Sequence, residues 1–84
     1  MTYTIVWSGE VIRALNRLRR EDPDTAKILT GAILSLATDP HPTGSNTLGS
    51  TDLRRLRLGD HRILYEVSEA RVTVHVVSVG SVKR

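Results

Sequence analysis

The segment from Leu53 to Val67, LRRLRLGDHRILYEV, constrains the fold of this chain more than any other part of the sequence. Apolar and basic residues alternate in its first half, and β-branched and aromatic residues fill its second half. Gly59-Asp60 separates the two halves, so the segment predicts a β-hairpin. Because successive side chains of a strand point to opposite faces, Leu56 and Leu58 should share one face, and Arg55 and Arg57 the other.

The face opposite the apolar residues is predicted to carry an unusual density of positive charge. Four of the twelve Lys and Arg residues fall between Leu53 and Arg62. A solvated sheet face would explain alternation alone, but this density favours a face that binds anions. Counting by twos through the hairpin and the strand that follows predicts the members of this open face: Arg55, Arg57, Arg62, Leu64, Glu66, Thr73, His75, Val77 and Val79.

Size and composition limit the remaining classes of function. The chain has 84 residues, enough for one domain with one core, and its net charge of +3 is compatible with a polyanionic partner. It contains no cysteine, and its three histidines lack the spacing of metal ligands, so no metal site is expected. No apolar run approaches ~18 residues and no signal peptide opens the chain, which predicts a cytoplasmic protein.

Two helices are predicted before the hairpin. Thr2 to Trp7 alternates as a short strand, and Ser8 can cap an amphipathic helix that extends to about Arg20. A break follows, after which Asp24 is predicted to cap a second helix that stops at Asp39-Pro40.

The second half of the chain is predicted to be mainly strands. Thr43 to Asp52 is polar and rich in glycine and is predicted to be a surface loop. The hairpin and a β-branched strand from Val72 to Val79 follow. The expected class is α+β in the order β-α-α-β-β-β, with a two-helix hairpin packed on one face of a four-stranded, mostly antiparallel sheet.

This order of elements, with these local sequences, resembles the RelE/ParE superfamily, the toxins of bacterial type II toxin–antitoxin systems. The resemblance runs from Tyr3 to about Gly80, and LRRLRLGDHRILYEV is its sharpest part. The weaker matching segments are Tyr3-Thr4-Ile5-Val6-Trp7-Ser8, Leu36 with Asp39-Pro40, Leu48-Gly49, and Val77-Ser78-Val79-Gly80.

RelE-like members of this superfamily cut mRNA on the ribosome, and the resemblance implies the same activity here. Arg55 and Arg57 fall where RelE tends to have lysines, and Arg62 falls on a matching arginine. Arginine binds phosphate through a planar fork but cannot act as a general base, because its guanidinium group stays protonated in proteins. The candidates for proton transfer are therefore Glu66 and His75 on the open face and His61 at the turn, where His61 has the alternative of a simple turn residue. Glu66 has the alternative of an ion pair with Arg62 or Arg57, and His75 that of a cross-strand partner.

The catalytic and RNA-binding sets implied by the resemblance extend beyond the hairpin. The predicted catalytic residues are Arg55, Arg57, Arg62, His75 and Glu66. The predicted RNA-binding residues are Arg54, Arg13, Arg17, Lys83 and Arg84. No cofactor or metal is expected, and the predicted partners are an antitoxin, the ribosome and mRNA.

The end of the chain departs from the RelE pattern. RelE-like toxins usually continue with a basic residue and end near a tyrosine, whereas this chain ends Gly80-Ser81-Val82-Lys83-Arg84. Val82 stands roughly where a catalytic arginine would be. Two alternatives therefore stay open: a ParE-like inhibitor of DNA gyrase without nuclease activity, and a degenerate toxin that only binds its antitoxin.

Overall fold

The computed structural model describes residues 2–49 and 52–81, which form two helices and five strands. In chain order these are β1 (Thr4–Trp7), α1 (Gly9–Glu21), α2 (Pro23–Ser35), β2 (Ser45–Thr47), β3 (Leu53–Leu58), β4 (His61–Ser68) and β5 (Thr73–Ser81). The predicted α+β class and the order of the helices are confirmed.

The strands form one sheet in the order β1-β5-β4-β3-β2, in which only the β1–β5 pair is parallel. The hairpin is confirmed: Leu58 pairs with His61, and Gly59 has the positive φ (+59°) that favours glycine at the start of a two-residue turn. The prediction of four strands is wrong by one. The predicted loop contains β2, whose polar sequence gives no apolar alternation and which is defined instead by its pairing with β3.

The break between the helices is set by one aspartate. Asp22 accepts hydrogen bonds from the backbone nitrogen of Thr25 (3.3 Å) and from its hydroxyl (2.6 Å), and Pro23 takes the first helical position. The predicted cap at Asp24 is therefore wrong. Because proline has no N–H to lose there, Pro23 fits the start of α2 and places the cap at Asp22, two residues before the predicted position.

The Asp22 cap should make stability depend on acid. The hydrogen bonds from Thr25 lower the pKa of the Asp22 carboxyl below its usual range. A lowered folded-state pKa stabilises the fold above the ordinary aspartate pKa near ~4, and this contribution is lost as pH falls through the lowered value. Asparagine caps as well as aspartate but does not titrate. We expect Asp22→Asn to lose less unfolding free energy than the parent protein between about pH 5 and 2 in urea titrations. An equal loss in both proteins would contradict this.

The core lies between the helix pair and one face of the sheet. Tyr65 is fully buried within it, and its hydroxyl donates a 2.8 Å hydrogen bond to the carbonyl oxygen of Pro40. The predicted apolar face of the hairpin is confirmed, since Ile63, Tyr65 and Val67 are all buried. The other buried apolar side chains are Val11, Leu15, Ala26, Leu29, Ile33, Leu36, Leu56, Val74 and Val76.

A bulge in β5 overturns part of the predicted open face. Tyr65 pairs with Val76, but Leu64 pairs with Ser78, so Val77 is an extra residue in the ladder. The hydroxyl of Ser8 donates a 2.8 Å hydrogen bond to the Val77 carbonyl oxygen. After the bulge, the residues of β5 that were predicted to face solvent face the core instead. Val79 packs against the core, contrary to the prediction. Ser78 and Gly80 take the open face instead.

Candidate functional site

The open face of the sheet is the side that the helices leave uncovered. Arg57 lies directly opposite Arg62 in the ladder, and Arg55 lies opposite Leu64. Like charges placed directly across two strands destabilise a sheet. The pairing of Arg57 with Arg62 therefore costs stability through charge repulsion, and a bound anion would reduce that repulsion.

One concavity of about 300 Å³ lies at this point of the face, and we call it the arginine concavity. Its lining consists of Leu48, Arg55, Arg62, Leu64, Ser78 and Gly80. The β5 bulge makes the room, because it brings the small Ser78 and Gly80 to this side, where unbroken alternation predicts Val77 and Val79. The sheet thus brings together two predicted site residues, Arg55 and Arg62.

The arginines of the concavity have no partner carboxylate among residues 2–49 and 52–81. The ion pairs between described side chains are His75–Glu66 and His41–Glu69, and neither involves an arginine. The Arg55 Nε is shielded from solvent and has no hydrogen-bond partner. The Arg54 Nε, on the opposite side of the sheet, is likewise shielded and unpaired, so this feature is not specific to the arginine concavity.

Glu66 and His75 lie in a second concavity of about 370 Å³, which we call the glutamate concavity. Its lining consists of Val6, Asp52, Glu66, Val67, Ser68, Arg71, Thr73 and His75. The His75 Nδ1 lies 3.6 Å from the Glu66 Oε1 across the two strands. The alternative ion pair of Glu66 with Arg62 or Arg57 is not formed.

The two concavities divide the predicted catalytic set. Glu66 lies four positions after Arg62 along β4, which places their backbones ~13 Å apart. Arg55 and Leu64 lie between them on the same face. The phosphate-binding candidates and the proton-transfer candidates therefore occupy different parts of one surface.

The predicted RNA-binding residues are not gathered at this face. The side chain of Arg54 points to the opposite side of the sheet, where its Nη2 donates a 2.8 Å hydrogen bond to the Ser45 hydroxyl. Arg13 and Arg17 are exposed on α1, and Arg17 lines a small hollow with His61 and Gly80.

Two predicted residues, Lys83 and Arg84, lie outside the described residues. As to metals, no group of three histidine, aspartate or glutamate side chains that could hold an ion occurs in the described part of the chain.

Sequence reasoning missed Ser78 and Gly80, which shape the arginine concavity. The signal was the doublet Val76-Val77, which interrupts the alternation of β5. Such a doublet is compatible with a bulge, with a strand end or with a strand buried on both faces. Only the pairing with β4 distinguishes them.

The sequence of the chain matches one known protein family. A family model described as the ParE toxin of type II toxin–antitoxin systems, parDE, matches residues 5–84. The chain belongs to this toxin family. Among curated proteins, none matches the sequence.

Solved structures agree with the fold of the toxin. The archaeal RelE–RelB complex from Pyrococcus horikoshii OT3 contains a chain 26% identical to it, with a TM-score of 0.84 over 100% of this chain and 99% of that chain. The isolated Escherichia coli RelE toxin is 20% identical, with a TM-score of 0.81 over 98% and 86% of the two chains. The YoeB/ParE toxin from Agrobacterium tumefaciens is 18% identical, with a TM-score of 0.79 over 93% and 96%. The toxin fold predicted from the sequence is confirmed.

The helices of the toxin are short. Within residues 2–49 and 52–81, none is long and apolar enough to cross a membrane.

Proposed function

We propose that this toxin is an mRNA endonuclease that acts on messages positioned by the ribosome in the cytoplasm. The observation that carries the proposal is the arginine concavity, which the half-buried Arg55 and Arg62 line without a partner carboxylate among the described residues. Guanidinium groups bind phosphate in a planar, two-pronged geometry. An extended RNA strand lying across the open face would bring its phosphates to these side chains.

The chemistry assigned to the arginines is electrostatic. Cleavage of this kind sends a ribose 2′-hydroxyl into the adjacent phosphorus, and negative charge builds up on the phosphate oxygens. Fixed cations beside those oxygens stabilise the transition state more than the ground state. Arg55, Arg57 and Arg62 can supply that charge. Arginine does not accept the proton, so proton transfer is left to other groups.

The proposal predicts a specific pattern of damage in cells. Inducing the toxin in bacteria should stop growth, and primer extension should show message breaks at fixed positions within codons. Messages that lack a start codon should stay intact, because the ribosome would not position them. Coexpression of an antitoxin should restore growth. Growth arrest with intact messages would overturn the nuclease proposal.

Inhibition of DNA gyrase is the second candidate function. The match to the ParE family model favours it. So does the lining of the arginine concavity, which contains no histidine, aspartate or glutamate among the described residues. A gyrase inhibitor needs a binding surface and no proton-transfer group. An SOS response with gyrase-linked DNA breaks and uncut messages would select this function. A protein that binds an antitoxin but leaves both targets untouched would be a degenerate toxin.

The partner that we propose for the toxin is an acidic antitoxin. The matched Pyrococcus structure is a RelE–RelB complex, and the net charge of +3 on this toxin favours an acidic partner. Ile12, Ile28 and Leu34 are exposed apolar side chains on the helices, of the kind that partners cover. An acidic segment that folds on binding could cover them and also reach the arginines of the sheet.

A further inference from the structure

We propose that the glutamate concavity is a base-reading subsite that takes a guanine from the RNA strand whose phosphates lie at the arginine concavity. This inference rests on the proposed action on RNA and assigns Glu66 a role in recognition instead of proton transfer. It explains why the two sets of predicted catalytic residues lie apart on one face.

The lining of the glutamate concavity has the components of a nucleobase site. Single-stranded RNA is usually recognised by stacking bases on histidine, aromatic or arginine planes and by hydrogen bonds to their edges. His75 and Arg71 offer planar groups, and Glu66 and Asp52 offer hydrogen-bond acceptors. Val6 is 42% exposed and supplies an apolar contact. The volume of about 370 Å³ lies within the ordinary range for small-molecule sites.

The carboxylate of Glu66 selects among the bases. Ionised, it only accepts hydrogen bonds, through two adjacent oxygens. Guanine presents two adjacent N–H donors, N1–H and the N2 amino group, on its Watson–Crick edge. Uracil presents one donor flanked by two carbonyl oxygens, which a carboxylate repels. A paired, charge-assisted contact to guanine is therefore the best match for this side chain.

The Glu66 carboxylate is available for such a contact. The only ion-pair partner it has within the described residues is His75, at 3.6 Å through Oε1. Both side chains are about half exposed, at 55% for Glu66 and 47% for His75. About half of the Glu66 side chain is therefore open to a ligand, and the imidazole lies beside the carboxylate, where it can contact the same base.

The position of the subsite fits one continuous strand of RNA. Glu66 follows Arg62 by ~13 Å along β4, with Arg55 and Leu64 between them on the same face. An extended strand covers this distance in a few nucleotides. Phosphates at the arginines would then fix the position of the strand, and the base at Glu66 would supply sequence preference, which is the usual division of roles.

The test uses binding alone, so that it does not depend on cleavage. The probes are fluorescent 2′-O-methyl hexanucleotides, which have no free 2′-hydroxyl to attack the phosphate: a run of uridines, and series with one guanine, adenine or cytosine at each position. Fluorescence anisotropy with the purified toxin gives the dissociation constants. We expect a guanine at one position to tighten binding about tenfold over uridine, as a good paired contact to a base does.

Two isosteric variants test whether the Glu66 carboxylate recognises the guanine. Glu66→Gln replaces one acceptor oxygen with a donor and should reduce the guanine preference to less than about twofold. Glu10→Gln makes the same charge change at an exposed position of α1 and should keep the full preference.

The outcomes separate this inference from the proposed nuclease. Equal binding of all probes, no binding of any probe, or a preserved guanine preference in Glu66→Gln would each overturn the subsite. Guanine-selective binding that depends on Glu66, together with intact messages in induced cells, would keep the subsite and overturn the nuclease.

Discussion

Replacing Arg62 by alanine is expected to reduce message cleavage by about 10²–10³-fold, the loss seen when one charge-stabilising group is removed from a transition state. The Arg62 side chain lines the arginine concavity and faces away from the core. Its removal also ends the like-charge contact with Arg57 across the ladder, so the fold should not weaken. Codon-positioned cleavage measured on programmed ribosomes, together with thermal unfolding, checks both parts.

Lys27→Ala is the matched control for Arg62→Ala. Lys27 is an exposed cation on α2, away from the open face, and its loss changes the net charge equally. RNA affinity should fall with salt in both proteins, but Arg62→Ala should flatten the slope of log affinity against log salt by roughly one ion. Lys27→Ala should leave the slope unchanged. A fully toxic Arg62→Ala protein with the parent slope would show that the arginine face is merely solvated.

Replacing Ile33 by alanine is expected to destabilise the toxin by about 2–5 kcal/mol, the usual cost of emptying a buried isoleucine position. Ile33 is 0% exposed and lies in the core between α2 and the sheet. Small domains are stable by only about 5–15 kcal/mol, so this change removes a large part of the total. Urea denaturation followed by circular dichroism measures the loss directly.

Ile28→Ala on the same helix is the control for Ile33→Ala. The substitution is chemically identical, but Ile28 is 62% exposed. Its effect should stay within about 0.5 kcal/mol, as for most surface changes. Similar losses at both positions would mean that α2 packs on the sheet through a different face from the one described.

The sequence alone determined the elements whose signals are local. The hairpin follows from strict alternation around Gly59-Asp60, and the sheet pairs its strands accordingly. The helix cap at Ser8 follows from residue type and is observed. The period of two predicts that Arg55, Arg57 and Arg62 share a face. This prediction needs only regular alternation, and neither β3 nor the part of β4 that carries Arg62 is interrupted by a bulge.

The tertiary structure decided what depends on pairing between distant segments. β2 has no apolar pattern of its own and exists as a strand because β3 lies beside it. The bulge at Val77 reverses the facing of the end of β5, and the partner of the freed carbonyl is Ser8, far away in the sequence. A single extra residue puts Ser78 and Gly80 on the open face, where the sequence predicted Val77 and Val79. The charge of the site was therefore readable from the sequence, but its shape was not, because shape depends on register, which pairing alone determines.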